Sequence, residues 1–210
     1  MSVELERVSP ADIERRSFEI ITSELPHEID PELAPIIKRV IHTTADFDYA
    51  DSLCFSPGAL EKALDAIRDG ACIVTDTNMA KAGINKAALA KHGGEVFCFM
   101  SEPEIVKQAR ERGVTRAAVS MEKALSIHRP LIFAIGNAPT ALARLYELIL
   151  SGELSPRLII GVPVGFVNVV QAKELIMTSP APYIVARGRK GGSNVAAAIC
   201  NALLYMLGRD

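Results

Sequence analysis

Glycines and cationic residues are concentrated in one stretch of the sequence, ARGRKGGSN at residues 186–194. The stretch follows the apolar run 183–185 and precedes residues 195–207, which are mostly small or apolar and have helical character. A loop between a buried strand and a helix exposes free backbone N–H groups at the helix N-terminus, where anions bind. Arginine side chains at such a loop pair with a carboxylate through two parallel hydrogen bonds. The stretch therefore predicts a binding site for an anionic ligand.

Three more loops with glycine corners follow apolar runs elsewhere in the chain. They are TDTNMAKAG (75–83), IGNAPTAL (135–142) and GVPVGFVN (161–168). Because the carboxyl ends of parallel strands meet at one edge of a sheet, we expect the four loops to converge. One glycine corner alone is more often only turn geometry, so the site prediction depends on the combination. The GxGxxG fingerprint and the phosphate loop GxxxxGK followed by Ser or Thr are both absent, which disfavours a nucleotide cofactor.

The candidate acid or base is one of four histidines, because imidazole has an unperturbed pKa of about 6.5. They are His27, His42, His92 and His128. His42 ends an apolar helical run, where the last helix carbonyls favour a protonated ring, although a ring that only caps the helix is an equal alternative. The other three have charged, glycine or proline neighbours, which are typical of solvated loops. No two histidines have ligand spacing and none lies near a cysteine, so no metal site is predicted.

Five cationic side chains are candidates for carboxylate binding. They are Arg16, Arg116, Arg187, Arg189 and Lys190. A single arginine is more often only a surface residue, but Arg116 directly precedes a predicted strand and Arg187 directly follows one, which favours these two. Nucleophilic catalysis is not supported, because GxSxG is absent and no cysteine has an activating context.

Composition indicates one globular domain over residues 1–210. The chain is 49% apolar and 23% charged, which supplies enough apolar material for one large core. The formal net charge is -2. No overall basic field attracts nucleic acid, so nucleic acid is disfavoured as a partner.

Cysteine usage and hydropathy favour a cytoplasmic location. Cys54, Cys72, Cys98 and Cys200 are widely spaced and form no CxxC pair, so we expect free thiols in a reducing compartment. The acidic N-terminal residues lack the basic start and apolar core of a signal peptide. Residues 158–172 are uncharged, but the run is too short for a bilayer and is broken by glycine and proline. No membrane segment is predicted.

Three pairs of a capping residue and a proline predict the starts of N-terminal helices. They are Ser9-Pro10, Asp30-Pro31 and Ser56-Pro57, which open predicted helices over residues 10–25, 31–41 and 57–69. In the first helix, the helical spacing of apolar residues places Arg16 and Ser17 beside or on the buried face. The segment 46–55 has no clear period, and we expect it to cover a site or a partner.

Short apolar runs alternate with helical stretches from residue 71 onward, a pattern that predicts successive βα units. Six candidate strands follow from it: 72–75, 96–100, 117–119, 131–135, 158–161 and 183–186. The shortest of them, 117–119, is also compatible with an edge strand or a loop. The predicted fold is α/β, with an open, mainly parallel sheet of five to six strands. Helices cover both faces in a Rossmann-like arrangement, preceded by the N-terminal helices.

Six motifs occur in a fixed order over nearly the whole chain: Arg16-Ser17-Phe18, Val40-Ile41-His42, Phe55-Ser56-Pro57, IGNAPTAL, PVGFV (163–167) and RGRKGGS (187–193). In this order they resemble the precorrin-8X methylmutase family, also called cobalt-precorrin-8 methylmutase. The resemblance implies a cofactor-free isomerase of cobalamin biosynthesis. Its reaction is a 1,5-sigmatropic methyl shift on precorrin-8X or cobalt-precorrin-8, which gives hydrogenobyrinate or cobyrinate.

The resemblance also assigns site residues. It implies that His42 is the catalytic acid and that no residue binds a metal. The implied substrate-binding residues are Arg16, Ser17, Arg116, Asn137, Thr140, Val164, Gly165, Arg187, Gly188, Lys190, Gly191, Gly192 and Ser193. The corrinoid (tetrapyrrole) substrate is a broad apolar disc edged by carboxylates, which suits an apolar cleft with cations at its rim. Family members are homodimers with active sites at the subunit interface, so the same is expected here.

Two other functions are compatible with these sequence features. A corrinoid carrier would bind the product without chemistry, and only turnover separates it from the enzyme. A phosphate-binding enzyme of Rossmann-like fold would use the same glycine-rich loops for a small phosphorylated ligand.

Overall fold

The computed structural model describes residues 6–10 and 12–208, which contain one six-stranded sheet. Its strands are β1 (Leu53–Phe55), β2 (Cys72–Thr75), β3 (Val96–Phe97), β4 (Leu131–Ile135), β5 (Leu158–Gly161) and β6 (Tyr183–Ala186). The spatial order is β1-β6-β5-β4-β2-β3. The pairs from β6 to β3 are parallel, and β1 is antiparallel to β6.

Helices connect and flank the strands. They are α1 (Ile13–Glu24), α2 (Ala34–Thr44), α3 (Tyr49–Ser52), α4 (Ala59–Arg68), α5 (Asn78–Gly83), α6 (Lys86–Lys91), α7 (Pro103–Arg112), α8 (Arg116–Lys123), α9 (Pro139–Leu150), α10 (Val169–Met177) and α11 (Ser193–Met206). None of the helices within residues 6–10 and 12–208 combines the length and the hydrophobicity that crossing a bilayer needs.

Two helical layers bury the two faces of the sheet. The α11 layer contains α1, α2, α4, α5, α6 and α11, and the α9 layer contains α7 to α10. In β4, Ile132 and Ala134 face the α11 layer, whereas Phe133 and Ile135 face the α9 layer. Strands β2, β4 and β5 are buried along their whole length, as expected for a parallel sheet that is covered on both faces. The predicted fold class is confirmed.

The direction of the strand order reverses between β2 and β4. From β2 the chain continues to β3 at one edge, and from β4 it continues the opposite way to β5 and β6. In open α/β sheets, ligands bind outside the carboxyl ends of the strands at such a reversal. Asp76 follows β2 and Gly136 follows β4, so both residues lie where the fold predicts a ligand site.

The predicted strand 117–119 is wrong, because these residues lie in α8. The Thr115 hydroxyl accepts a hydrogen bond from the N–H of Ala118 and caps this helix. The buried residues of α8 include Met121 one turn further on, so the apolar triplet belongs to a helical face rather than to a strand.

The sixth strand comes instead from the segment 46–55, for which no periodic structure was predicted. This segment forms α3 and β1, and Leu53 of β1 pairs with Ala186 of β6. Three residues are too few to show an alternating pattern. Strand β3 is also shorter than the predicted 96–100, because regular pairing ends at Phe97.

The three N-terminal helices begin two or three residues after the prolines that predicted them. Before each helix, a backbone hydrogen bond spans three residues: the carbonyls of Ser9, Asp30 and Ser56 accept from the N–H groups of Asp12, Leu33 and Ala59, respectively. Helix α1 also departs from the prediction, because its apolar face is only partly buried. Ile21 is buried, whereas Ile13 is 53% exposed.

Arg129 connects two loops at the amino edge of the sheet. Its guanidinium donates hydrogen bonds to the carbonyl oxygens of Gly70, before β2, and Gly93, before β3. We predict that Arg129→Met lowers the free energy of unfolding by about 1–2 kcal/mol, because both carbonyls lose a charged donor. Urea denaturation measures this loss. The exposed Arg110→Met is the control, with an expected change below about 0.5 kcal/mol. Equal stability of the two variants would contradict the prediction.

Candidate active site

The four glycine-containing loops converge at the carboxyl edge of the sheet, as predicted. The N–H of Gly192 donates to the Val162 carbonyl at 2.9 Å, and the N–H of Gly165 donates to the Arg189 carbonyl at 3.2 Å. The hydroxyls of Thr77 and Ser193 lie 2.7 Å apart and share a hydrogen bond. These contacts join the loops after β2, β5 and β6 into one surface.

Gly191 makes the closest of these approaches possible. A Cβ atom at this position would lie 2.1 Å from the carbonyl oxygen of Val162, a distance that no side chain tolerates. The absence of a side chain at Gly191 therefore allows the backbone of the loop after β6 to pack directly against the backbone of the loop after β5.

Asp76 fixes the loop between β4 and α9. Its carboxylate is 1% exposed and accepts hydrogen bonds from the N–H groups of Gly136, Asn137 and Ala138, at 2.9, 2.8 and 2.6 Å. Burial raises the pKa of Asp76 above its usual value, against the opposing effect of these N–H donors. A negative charge at the start of α9 also interacts favourably with the helix dipole. The chain's own carboxylate thus occupies the N–H groups that a bound phosphate would use.

Lys173 fixes the loop between β6 and α11. Its side chain comes from α10 and is fully buried. The ammonium nitrogen donates to the carbonyl oxygens of Gly188 at 2.9 Å and Lys190 at 2.8 Å. Desolvation lowers the pKa of Lys173 to about 8. A buried cation therefore lies under the glycine-rich loop.

His42 lies in the last turn of α2, and its side chain is exposed. Its ring meets the edge of the Phe18 ring, with centroids 5.5 Å apart and an angle of 63° between the planes. Within the described residues, no group forms a hydrogen bond with the imidazole. The end of α2 is capped instead by the left-handed Ala45, whose N–H donates to the Ile41 carbonyl at 2.7 Å. The structure therefore removes helix capping as the explanation for this histidine.

His27 differs from His42 because both of its ring nitrogens are engaged. One contacts the Glu28 carbonyl at 2.9 Å and the other the Asp51 carboxylate at 2.7 Å. These two contacts raise the pKa of His27 above its usual value. Across residues 6–10 and 12–208, no group of three His, Cys, Asp or Glu side chains is arranged to hold a metal ion.

Lys190 joins the glycine-rich loop to the segment that follows His42. Its ammonium pairs with Asp46 at 2.7 Å and with Asp48 at 2.5 Å, and both carboxylates raise its pKa further. In addition, the N–H of Arg187 donates to the Ser52 carbonyl at 2.8 Å. The end of α2 is thereby held close to the loop, although the two are far apart in sequence. The ammonium charge of Lys190 is therefore paired with carboxylates of the protein itself.

The remaining predicted residues lie in the two helical layers. On the α9 layer, Arg116, Asn137 and Thr140 line a pocket of about 760 Å³ together with α10 residues. On the α11 layer, Arg16 pairs with Glu6 at 2.9 Å, and the Ser17 hydroxyl donates to a carbonyl of its own helix. The glycine-rich loop touches both layers, through Lys173 and through the Asp46 pair.

An apolar surface borders the site on the loop 161–168. Val164, Phe166 and Val167 are exposed, with Phe166 at 81%. The guanidinium of Arg189 lies over the Phe166 ring, 5.5 Å from its centroid. Arg189 and Arg116 have no carboxylate partner among the residues that the structure describes, unlike Arg187, which lies 3.4 Å from Glu174. The edge thus combines exposed apolar groups with available cations.

Asp76 and Lys173 were missed in the sequence because their roles depend on residues far along the chain. The sequence nevertheless contains a signal for both residues. Asp76 stands between two threonines directly after an apolar strand, and Lys173 is the first charge after the uncharged run 158–172. A lone charge beside an apolar run is a sign of a buried, paired group.

The protein is an α/β protein with exposed apolar groups, cations and glycine-rich loops at the carboxyl ends of its strands, where folds of this class place their ligand sites. Residues 12–206 match the family model for precorrin-8X methylmutase. The chain belongs to the precorrin-8X methylmutase family, and it is accordingly a methylmutase, an isomerase of cobalamin biosynthesis.

Individual relatives support the same assignment over most of their length. The chain is 46% identical to the cobalt-precorrin-8 methylmutase of Priestia megaterium, over 93% of this chain and 88% of that protein. It is 48% identical to the cobalt-precorrin-8 methylmutase of Salmonella typhimurium, over 94% and 96%. The solved precorrin-8X methyl mutase of Thermus thermophilus superposes with a TM-score of 0.85 at 40% identity, covering 93% of this chain and 96% of that one.

The Asp76 contacts predict a large loss of stability on substitution. Asp76→Ala leaves three N–H groups without their acceptor, so we expect the free energy of unfolding to fall by about 3 kcal/mol. Urea denaturation measures the change. Asp69→Ala, at an exposed aspartate, is the control and is expected to change stability by less than about 0.5 kcal/mol. A similar, small effect of both variants would show that the Asp76 contacts are dispensable.

The burial of Lys173 predicts a pH-dependent difference between the wild type and Lys173→Met. The pKa of Lys173 is about 8 in the folded state and 10.5 for the ordinary side chain. Between these values the unfolded chain binds more protons than the folded chain, so the stability of the wild type rises with pH. We expect the stability of the wild type relative to Lys173→Met to increase by up to about 3 kcal/mol from pH 8 to pH 10.5. Urea denaturation of both proteins across this range measures the change, and a constant or decreasing relative stability would contradict the prediction.

Proposed function

We propose that the chain converts precorrin-8X or cobalt-precorrin-8 to hydrogenobyrinate or cobyrinate by a 1,5-sigmatropic methyl shift, with His42 as the proton donor. The observation that supports this proposal best is the exposed imidazole without a hydrogen bond, at the end of a helix after which Asp46 is ion-paired with Lys190 of the glycine-rich loop. The relatives from Priestia megaterium and Salmonella typhimurium are named for cobalt-precorrin-8. The cobalt-containing substrate is therefore the first to test.

General acid catalysis would account for part of the rate. Protonation of the macrocycle near the migrating methyl group polarises the conjugated system, and such catalysis typically contributes about 10²- to 10⁴-fold. Because substrate and product are isomers, the proton that His42 donates must be returned once the methyl group has moved. The rest of the acceleration would come from holding the ring in its reactive geometry. No cofactor takes part in this scheme.

The site surface suits the two parts of the substrate. The exposed apolar groups of Val164, Phe166 and Val167 would contact the face of the disc. Cations and backbone donors would bind the carboxylates at its edge. The proposed substrate-binding residues are Arg16, Ser17, Arg116, Asn137, Thr140, Val164, Gly165, Arg187, Gly188, Lys190, Gly191, Gly192 and Ser193. Arg16, Arg187 and Lys190 would have to share their charges with the carboxylates that they already contact.

Asp76 argues against the alternative of a phosphate-binding enzyme. At the reversal of the strand order, where this fold usually binds phosphate, the N–H groups of Gly136, Asn137 and Ala138 already bind the Asp76 carboxylate. A phosphate there would have to displace a buried charge of the same sign.

A homodimer with active sites at its interface is part of the proposal. It is supported by large apolar side chains that are exposed beside the site, namely Ile13 and Ile20 on α1 and Phe166 and Val167 on the loop after β5. Burial of such groups is the usual driving force of stable dimers. Size-exclusion chromatography with light scattering tests it, and a monomer at micromolar concentration would overturn it.

A single domain over residues 1–210 in the cytoplasm completes the proposal. One sheet runs through residues 53–186, although residues 1–5, 11 and 209–210 lie outside the described part of the chain. Cys54, Cys72, Cys98 and Cys200 are all free thiols, which supports a reducing compartment.

The direct test of the proposed acid is His42→Ala. We expect kcat to fall about 10²- to 10⁴-fold, because the proton donor is lost, while product affinity stays within about threefold. Absorption spectroscopy follows the conversion of the yellow precursor to the orange-red product, with metal-free and cobalt-containing substrates in parallel. His128→Ala, at an exposed loop position before β4, is the matched control and is expected to keep wild-type rates.

Each other outcome has a distinct meaning. Near-normal turnover by His42→Ala would remove His42 from the mechanism. Product binding by the wild type without any turnover would indicate a carrier. A rise in melting temperature with a mononucleotide, but not with the corrinoid, would favour the phosphate-binding enzyme.

A further inference from the structure

Lys173 is a buried cation that the proposed mechanism does not use. Lysine is rarely fully buried, because transferring its charge out of water is costly unless the ammonium is paired or hydrogen-bonded. Among the described residues, no carboxylate lies within ion-pair distance of its nitrogen, and its hydrogen bonds go to backbone carbonyls of the glycine-rich loop. An apolar residue would fill the same space at a lower desolvation cost. The ammonium therefore points to a function connected with the loop.

The two carbonyls that Lys173 binds determine the direction of two N–H groups. A trans peptide places its C=O and N–H on opposite sides, and no cis peptide occurs in the described chain. With the Gly188 and Lys190 carbonyls directed to the buried ammonium, the N–H groups of Arg189 and Gly191 are directed away from it. Neither N–H group forms a hydrogen bond with the residues that the structure describes.

The loop then presents donors of the kind that bind carboxylates. The free N–H groups of Arg189 and Gly191 lie in the loop directly before α11, and free N–H groups at the start of a helix attract anions. A positive charge buried directly under the loop strengthens this attraction, because the interior screens charge less than water does.

We propose that Lys173 is a positioning residue, which orients the N–H groups of Arg189 and Gly191 to bind a carboxylate of the corrinoid substrate. The inference rests on the proposed function and adds a residue that acts through the loop rather than by contact with the substrate. Its lowered pKa is consistent with an ammonium held in place by carbonyls alone.

A purely structural role is the alternative, and the chain offers a matched control for it. At the opposite edge of the sheet, Arg129 also donates from one cationic group to two loop carbonyls, those of Gly70 and Gly93. Replacement of either cation by methionine removes the same kind of contact. Only the replacement at 173 changes the loop at the site.

The experiment compares Lys173→Met and Arg129→Met in the full-length protein, with steady-state kinetics and with titration of the purified corrinoid product. For Lys173→Met we expect KM and the product Kd to rise about tenfold, with kcat changed less than about threefold, because ligand binding and not the proton transfer is affected. Arg129→Met is expected to keep wild-type KM and Kd. An unchanged KM and Kd in Lys173→Met, or an equal rise in both variants, would overturn the proposal.

A second pair of variants perturbs the same peptide without opening a cavity, in case Lys173→Met does not fold. Gly188 has φ +76°, Gly152 has φ +77°, and a Cβ atom at either position meets nothing within 4 Å. Alanine at each therefore introduces the same backbone strain in open space. We expect Gly188→Ala to raise KM and Kd, and Gly152→Ala to leave both unchanged. Unchanged values in Gly188→Ala would contradict the inference.

The wild-type measurement separates this inference from the proposed function. If the wild type neither converts the precursor nor binds the product, the proposed function fails, and the inference fails with it. If the wild type does both and the variants at 173 and 188 match it, only the inference fails.

Discussion

The carboxylate of Asp76 accepts hydrogen bonds from three successive N–H groups at the start of α9, inside the carboxyl edge of the sheet. The rest of the site depends on this contact, because it holds the loop after β4 against the loop after β2 and fixes the backbone that carries Asn137. The ammonium of Lys173 holds the loop after β6 in the opposite way, because it donates hydrogen bonds to two carbonyls of that loop. One loop is thus fixed through its donors and the other through its acceptors, each by a buried charge of the appropriate sign.

This difference explains how a fold commonly used for phosphate can serve a much larger ligand. The donors at the start of α9 are satisfied internally, whereas the N–H groups of Arg189 and Gly191 in the loop after β6 form no hydrogen bond with the described residues. The donors proposed to bind an anion therefore lie beside β6 rather than at the centre of the sheet, in the loop that Lys190 joins to the residues after α2. The groups proposed to bind the substrate extend beyond this loop: His42 is exposed at the end of α2, Phe166 is exposed on the loop after β5, and Arg116 lines a pocket on the α9 layer.

The sequence was sufficient for the features that depend on local patterns. Strands β2, β4, β5 and β6 are buried runs that end at polar or glycine corners, and the loops after them were predicted to converge. The prediction failed where a structural element or a side-chain role depends on contacts with residues far along the chain. Residues 117–119 have the apolar composition of a strand, but the Thr115 cap and the neighbouring residues make them part of α8. Strand β1 is defined only by its pairing with β6. Likewise, Asp76 and Lys173 bind partners that no spacing rule identifies.

The pairing of β1 with β6 and the packing of α2 against α11 have a consequence for biosynthesis. More than a hundred residues separate each segment from its partner, and a ribosome adds about 5–20 residues per second. The helix that carries the imidazole therefore emerges many seconds before the surface on which it docks exists. Contacts of such long sequence separation form slowly. The nascent chain must keep this apolar helix from aggregating until translation has reached α11, so the surroundings of His42 are completed last.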